Sequence, residues 1–206
     1  MVPAHEEHSI GEHELDPDPH RQFARWFDEA VAAGEPMPAA MSLATVDASG
    51  LPRVRMMLLE QVDGRGFTFQ TNLDSPKAAD LTGRPHAALA FFWPTLMRQV
   101  RVTGDVMPLS REEVAAYFGN APAGIQTMIR ACHQSQVIAD RAALEQAYAD
   151  ALAATPEAGG PPPHWGAFRV RVQTIEFWQA RPNWLQDRLR YTRQAADDWR
   201  IERLVP

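Results

Sequence analysis

Short apolar segments separated by tight polar turns constrain the fold of this chain more than any other feature of its sequence. Residues 41–47, 51–61 and 67–71 are largely apolar, and the glycine-containing turns 47–50 and 63–66 separate them. Such turns suit connections between neighbouring antiparallel strands, because glycine adopts left-handed backbone conformations without a steric cost. We therefore expect these residues to form a three-stranded meander.

Further strands follow, mostly as hairpins. They are predicted at residues 86–93, 98–108, 165–178 and 199–204, and residues 175–191 have the pattern of two strands joined by a tight connection. Helices are predicted where N-cap residues precede an amphipathic pattern, at Asp18 before Pro19, at Ser110 with Glu113 as a capping box, and at Asp140. Seven or eight strands arriving as hairpins predict an antiparallel barrel with flanking helices, a mainly β fold of the α+β class.

Length and composition exclude several classes of protein. The 206 residues suit a single domain, which we expect at residues 18–206, behind a flexible, acidic and histidine-rich arm at residues 1–17. That arm is either a solvated tail or a metal site, although its histidine spacing matches no strong ligand motif. A net charge of −6 disfavours nucleic acid as a partner. No apolar run is long enough to cross a bilayer and the N-terminus lacks the regions of a signal peptide, so we expect a cytoplasmic protein without a membrane partner.

Cationic side chains precede and follow the third predicted strand. Arg53 and Arg55 alternate with apolar residues, so both point to one face of their strand, where a bound phosphate or acidic neighbours could neutralise them. Thr71, Ser75 and Lys77 lie at the start of a predicted helix and make a plausible anion site. The glycines of a P-loop are missing.

The C-terminal segment 175–191 combines tryptophan with a dense polar patch. Its polar members are Arg181, Asn183, Gln186, Asp187, Arg188 and Arg190. Guanidinium and indole groups together suit a planar, anionic ligand, whereas the alternative is an ordinary hairpin with a solvated tip. Cys132 beside His133 is weak support for a nucleophile pair, because neighbouring side chains in sequence diverge in space.

Several strings of this sequence, in order and spacing, resemble pyridoxamine 5′-phosphate oxidases from about residue 16 onward. They include MSLATVDASGLPRVRMMLLE, FTFQTNLDSPKAADL, AALAFFWPTLMRQVRVTGDV, PPPHWGAFRV and IEFWQARPNWLQDRLRY. The resemblance implies a split β-barrel, a homodimer, and FMN bound in two clefts at the dimer interface. Flavin oxidases of phenazine biosynthesis are close relatives of the family.

The resemblance also implies which residues bind FMN. The matching positions hold Arg55, Met56, Thr71, Lys77, Gln99, Gln134, Ser135, Trp178 and Arg188. Cations suit the phosphate, and amides suit the edge of the ring and the ribityl chain. One departure is Pro76, where the family usually has arginine, which removes one partner of the phosphate.

The substrate positions differ more from the family. Tyr117 is kept, but Glu60, Ala121 and Ile125 replace a lysine, an arginine and a serine that the family uses near the substrate phosphate. Trp184 and Gln186 replace an arginine and a histidine. Because a carboxylate at Glu60 would repel a phosphate, we expect an unphosphorylated, cationic or amine substrate, unless Arg98 or Arg130 takes over the phosphate.

The leading hypothesis is an FMN-dependent oxidase that transfers a hydride from a small cyclic amine or heteroaromatic metabolite to FMN, with O2 as the acceptor. Glu60, Tyr117, Trp184 and Gln186 are its candidate catalytic residues. The alternatives are an authentic pyridoxine/pyridoxamine 5′-phosphate oxidase, and a binding protein for flavin, heme or deazaflavin that does not turn over.

Overall fold

The computed structural model describes residues 10–131, 134–154, 159–182, 184–195 and 198–206. Within them, nine strands form one antiparallel sheet, which confirms the predicted fold class. The strands are β1 (Ala40–Val46), β2 (Pro52–Leu58), β3 (Gln61–Asp63), β4 (Gly66–Asn72), β5 (His86–Trp93), β6 (Arg98–Pro108), β7 (Trp165–Gln179), β8 (Asp187–Arg193) and β9 (Trp199–Arg203).

Five α-helices flank the sheet in the described residues. They are α1 (Pro19–Ala32), α2 (Pro76–Gly83), α3 (Arg111–Asn120), α4 (Ala123–Ala131) and α5 (Arg141–Ala154), and a 3-10 turn (Glu12–Glu14) precedes them. Their starts agree with the predicted caps: Asp18 accepts from the His20 amide, and Ser110 and Glu113 form a reciprocal capping box. No helix among the described residues is long and apolar enough to span a membrane.

Strand β7 organises the sheet because it is long enough to pair with three strands. One of its edges pairs with β6 over residues 168–179. Its other edge pairs with β4 over residues 165–170 and with β8 over residues 174–179. The sheet therefore divides along β7 into two parts, and the order β2-β1-β5-β6-β7-β4-β3 completes the larger one.

An aromatic core fills the concave side of the sheet. Phe23 and Trp26 of α1 are almost completely buried, and the Phe23 ring lies 4.7 Å from Phe67 and 4.9 Å from Phe91. Trp26 packs edge-on against Phe177 of β7 at 5.1 Å. These aromatic residues of α1 belong to the core, as their helical spacing predicts.

Two details of the predicted strand pairing are wrong. The predicted three-stranded meander is wrong, because β4 does not pair with β2. Strand β2 ends at Leu58, and β4 pairs with β3 on one edge and with β7 on the other. The connection within residues 175–191 is not tight, because seven residues, 180–186, separate β7 from β8. Side chains close that loop: the Arg181 amide donates to Gln186 Oε1 at 2.6 Å, and Arg181 Nε donates to Asp187 at 2.5 Å.

Part of the predicted N-terminal arm lies within the described residues. The Ile10 amide donates to Asp187 Oδ2 at 3.1 Å, and Arg203 pairs with both Glu12 and Asp187. Residues 10–16 therefore lie against the C-terminal strands. Residues 1–9 lie outside the described part of the chain, and the boundary of the arm stays a prediction.

Candidate active site

Four of the predicted cofactor residues meet where β4 leads into α2. Lys77 Nζ donates to Thr71 Oγ1 at 3.0 Å, to Ser75 Oγ at 3.2 Å and to Gln134 Oε1 at 2.6 Å. Arg55 approaches the same region from β2. We call Arg55, Thr71, Lys77 and Gln134 the cation cluster.

Lys77 is the only lysine in the sequence, and its side chain is buried. Burial, and then repulsion from Arg55, lower the pKa of Lys77 from 10.5 to about 8. Its recorded hydrogen-bond acceptors are all neutral, and in the described part of the chain no carboxylate forms an ion pair with it. A buried ammonium without a counter-ion is costly, so this group fits an anionic ligand.

Acidic neighbours satisfy the two arginines of β2 only in part. Arg53 lies 2.8 Å from Asp47 and 3.6 Å from Asp80, and Arg55 lies 3.8 Å from Asp80. Arg55 also donates to Thr45 Oγ1 at 2.8 Å, so it is held in place without a close ion pair. Together with Lys77, these groups carry three positive and two negative charges, a net attraction for a phosphate.

Three other predicted cofactor residues lie in one row across the second part of the sheet. Gln99 of β6 is opposite Trp178 of β7, and Trp178 is opposite Arg188 of β8. Cross-strand partners point to the same face, so an amide, an indole and a guanidinium stand side by side. Glu176 accepts from Arg188 Nε at 2.8 Å and raises the pKa of Arg188. We call these three residues the indole row.

The cation cluster and the indole row lie toward opposite ends of β7. Thr71 is paired with Gly166, and Trp178 lies twelve residues further along the same strand. At about 3.3 Å per residue, the path along β7 is about 40 Å, longer than one flavin mononucleotide. The strand register therefore does not place the two groups side by side.

The candidate catalytic residues are distributed over several elements. Glu60 follows β2, is exposed, and accepts a hydrogen bond from Gln70 Nε2 at 2.8 Å. Tyr117 of α3 donates to Gln61 Oε1 at 2.6 Å. Trp184 is 76% exposed with a φ of 63°, and Gln186 bonds the Arg181 amide within the same loop.

Other predicted residues do not join these groups. Met56 lies on the outer face of β2, opposite Arg55, and is 64% exposed. Ser135 is exposed and has a φ of 71°. The predictions on Cys132, His133 and Asn183 lie outside the described residues.

The sequence alone did not single out Asp80, Gln70 or Trp165. Asp80 is buried and bonds Thr45 Oγ1 at 2.7 Å between the two arginines. Gln70 links Glu60 to Trp165, whose indole donates to Gln70 Oε1 at 2.9 Å. Burial of Asp80 could have been suspected from its place on the amphipathic helix α2, whereas the Gln70–Trp165 contact joins residues 95 apart and has no local signal.

An antiparallel split sheet with a cation cluster and an indole row defines the flavin-type oxidoreductases as the class to compare. Residues 27–154 match the pyridoxamine 5′-phosphate oxidase family, and residues 165–206 match the pyridoxine 5′-phosphate oxidase C-terminal dimerisation region. The chain belongs to the pyridoxamine 5′-phosphate oxidase family and is an oxidase of that family.

Individual relatives support the same assignment. A pyridoxine/pyridoxamine 5′-phosphate oxidase of Cupriavidus necator is 47% identical over 96% of this chain and 93% of its own length. The crystal structure of PhzG from Burkholderia lata, in complex with tetrahydrophenazine-1-carboxylic acid, superposes with a TM-score of 0.91 at 29% identity, covering 97% of this chain and 98% of PhzG. A pyridoxamine 5′-phosphate oxidase-related, FMN-binding protein of Nostoc punctiforme shares the fold, with a TM-score of 0.76 at 16% identity over 97% of this chain and all of that one.

Proposed function

We propose that this protein binds FMN and oxidises a small, unphosphorylated cyclic amine or nitrogen heterocycle, with O2 as the electron acceptor. The observation that carries the cofactor assignment is the buried Lys77 ammonium, held by neutral oxygens beside Arg55. A phosphate at this place would supply the missing counter-ion. Pro76 gives one cation fewer than the family usually has, so the fit depends on Lys77 and Arg55.

The cofactor site requires a second copy of the chain. The path of about 40 Å between the cation cluster and the indole row favours a site in which one protomer holds the phosphate and its partner contacts the ring. Three exposed apolar side chains, Val54, Met56 and Leu58, lie along the outer face of β2 and suit burial against that partner. The match of β7–β9 to a dimerisation region agrees with a homodimer.

The proposed substrate class rests on Glu60. A carboxylate there repels a phosphate dianion, because like charges a few Å apart disfavour each other. The two arginines that could compensate are engaged elsewhere. Arg98 stacks on Trp26 and pairs with Glu29, and Arg130 lies over Phe118 and bonds the Gly159 carbonyl.

Different residues of this chain would bind the substrate and the cofactor. Bound FMN would supply the acceptor for one hydride, which is a proton with two electrons, from a C–H bond next to nitrogen. Glu60 would accept a hydrogen bond from the substrate, and Trp184 and Gln186 would border it from the loop at residues 180–186. Lys77 and Arg55 would hold the phosphate of the cofactor, and Gln99, Trp178 and Arg188 would position and cover its ring.

A second candidate is an authentic pyridoxine/pyridoxamine 5′-phosphate oxidase. The names of curated relatives at 46–48% identity favour it. Those relatives were matched over nearly the whole chain, so the scaffold does not discriminate between the two candidates. Only the substrate positions do.

Anaerobic mixing of the FMN-loaded protein with candidate substrates separates the possibilities. We expect pyridoxine 5′-phosphate to leave the flavin absorbance unchanged, and an unphosphorylated cyclic amine or dihydroaromatic compound to bleach it. Rapid bleaching by pyridoxine 5′-phosphate, with pyridoxal phosphate formed on admitting air, would establish the second candidate. Tightly bound FMN that no compound in a broad amine screen bleaches would favour a binding protein without turnover.

A matched variant tests the map of the pocket. Glu60→Lys combined with Ala121→Arg restores the cations that the family uses, and Trp165→Phe in the same variant frees the Gln70 amide to accept from the new lysine. We expect this triple variant to bind pyridoxine 5′-phosphate with a lower Kd than the unaltered protein. Glu112→Lys with Ala116→Arg and Trp165→Phe, with both charge changes on exposed positions of α3, changes the net charge by the same amount and is the control. An unchanged Kd in the triple variant would contradict the assignment of Glu60 to the substrate phosphate position.

A further inference from the structure

Three side chains form a chain of hydrogen bonds that ends at Glu60. The Trp165 indole Nε1–H donates to Gln70 Oε1 at 2.9 Å, and Gln70 Nε2–H donates to Glu60 Oε2 at 2.8 Å. The second carboxylate oxygen of Glu60, Oε1, has no hydrogen-bond partner within the described residues, and the side chain is exposed. One oxygen of Glu60 thus accepts a hydrogen bond from Gln70, while the other faces solvent.

The chemistry of the indole fixes the donor-to-acceptor direction of both hydrogen bonds. An indole N–H can only donate, so the atom of Gln70 that faces it must be the amide oxygen. The amide nitrogen of Gln70 must then face Glu60. Turning the amide over would bring two N–H groups together at Trp165 and two oxygens together at Glu60. Gln70 therefore presents a donor to Glu60, and Glu60 accepts that hydrogen bond.

The backbone keeps these three residues in register. Gln70 and Trp165 lie on the adjacent strands β4 and β7, where Gln70 pairs with Ala167 and Trp165 pairs with Asn72. The Trp165 carbonyl accepts from Arg111 at 2.7 Å, and its amide donates to the Pro162 carbonyl at 3.0 Å. The Glu60 amide donates to the Thr68 carbonyl of β4 at 2.8 Å. A rigid part of the sheet thus supports the carboxylate.

We infer that Gln70 and Trp165 are positioning residues that hold Glu60 as a hydrogen-bond acceptor and so select a substrate carrying an N–H donor, in particular a protonated amine. This inference rests on the proposed function, which assigns Glu60 to the substrate. Selection follows because a fixed acceptor needs no reordering when an ammonium binds, whereas an anionic group would meet a carboxylate that cannot turn away.

The same arrangement disfavours a cation at position 60. A lysine there would face the Gln70 Nε2–H group, and the amide could not turn without abandoning the Trp165 indole. Glu60→Lys alone should therefore be poorly accommodated. Combining it with Trp165→Phe, which keeps the ring packing but removes the N–H, frees the amide to turn and present its oxygen to the lysine.

The hydrogen-bond chain can be tested without any substrate. The protein has six tryptophan indole N–H groups to follow in a 15N-correlated NMR spectrum of its FMN-loaded form, and loss of one signal in Trp165→Phe would assign the Trp165 indole. We expect Gln70→Leu to shift this signal and to speed exchange of the indole hydrogen with water. Glu60→Ala should also shift it, because within the described residues Gln70 links Glu60 to Trp165 by hydrogen bonds. Glu112→Gln on α3 should leave it in place. A Trp165 signal that is unchanged in Glu60→Ala would overturn the proposed chain of hydrogen bonds.

Selectivity is tested with pyridoxamine, which carries an ammonium group, and pyridoxine, which carries a hydroxyl at the same place. Binding is followed by the flavin absorbance of the FMN-loaded protein. We expect Gln70→Leu to raise the Kd of pyridoxamine roughly tenfold, as for loss of one hydrogen bond to a charged group, and to change that of pyridoxine little. Equal weakening of both would overturn the selective role. Failure of both to bind the unaltered protein would overturn the amine assignment, while the NMR signal would still decide the hydrogen-bond chain.

Discussion

The Nζ atom of Lys77 lies 2.6 Å from the side-chain oxygen of Gln134, which is 57 residues away in the sequence. This bond joins the start of α2 to the segment after α4. Because Lys77 is the only lysine, its protonation and accessibility can be followed without interference from other side-chain amines.

Removing the Lys77 charge should weaken FMN binding. Lys77→Met keeps the length of the side chain but loses a charge-assisted hydrogen bond of about 1.5–3 kcal/mol, so we expect the Kd for FMN to rise roughly 10- to 150-fold. Fluorescence quenching of FMN on titration measures this. Riboflavin lacks the phosphate and provides the control, since its affinity should change little. Equal effects on both ligands would contradict a phosphate at Lys77.

The pH dependence of FMN binding should follow Lys77. Its pKa is lowered to about 8 in the free protein, and a phosphate favours the charged form, so the affinity is fully present below about pH 8 and falls as the pH rises above it. In the ligand-free protein, the effect of Lys77 on stability has the opposite dependence on pH. The folded pKa lies below the 10.5 of unfolded lysine, so this group adds to the free energy of unfolding as the pH rises from about 8 to 10.5.

Labelling with 13C-lysine gives a single side-chain signal that reports this titration directly. Lys77→Arg, which stays charged over the whole range, should remove the loss of affinity above pH 8. A Lys77 signal that titrates near 10.5 without ligand would contradict the assigned burial.

Gly104 should tolerate no side chain. A Cβ there would lie 2.0 Å from the Arg171 carbonyl oxygen, where the register between β6 and β7 shifts. We expect Gly104→Ala to lower the free energy of unfolding by about 1–3 kcal/mol or more. Urea unfolding measures the loss. Gly119→Ala in α3 is the matched control, because nothing lies within 4 Å of its Cβ, and it should stabilise by about 0.5–1 kcal/mol.

Asp187 should be a major determinant of stability. Its buried carboxylate accepts from the Ile10 amide, Arg181 and Arg203. We expect Asp187→Asn to cost about 3–5 kcal/mol in urea unfolding, because it removes the negative charge from the buried ion pair with Arg181. The exposed pair Glu12–Arg203 should matter much less, so Glu12→Gln should cost less than about 1 kcal/mol. Comparable losses in the two variants would contradict this ranking.

A charge on the outer face of β2 should disrupt the proposed dimer. Met56→Asp places a carboxylate between Val54 and Leu58, which are both more than half exposed in the single chain. We expect light scattering to show a monomer, with reduced FMN content, since each cofactor site needs both protomers. Val31→Asp on α1, which is 52% exposed, serves as the control. A dimer that survives Met56→Asp unchanged would indicate another interface.

Local features of the sequence predicted the structure well, and long-range pairing limited the prediction. The caps at Asp18, Ser110 and Asp140 lie within a few residues of the helices they begin, so the sequence carries their full signal. The partner of β4 could not be inferred locally, because β7 begins about a hundred residues after it.

In the candidate site, too, local features could be predicted and long-range contacts could not. Alternation in β2 correctly predicted that Arg53 and Arg55 share a face, and the structure adds that Asp80 lies between them. The contact of Trp165 with Gln70 depends on the β4–β7 register, which no pattern in either strand specifies. Which residues bind FMN or substrate stays a prediction.

The length of β7 has a genetic consequence. A protein with Lys77→Met and a protein with Trp178→Ala would each have both cofactor sites of their own homodimers weakened, for different reasons. Mixed dimers of the two would combine the intact cation cluster of one chain with the intact indole row of the other in one of their two clefts. Two inactive alleles expressed together should therefore complement each other, whereas two alleles damaged in the same group should not.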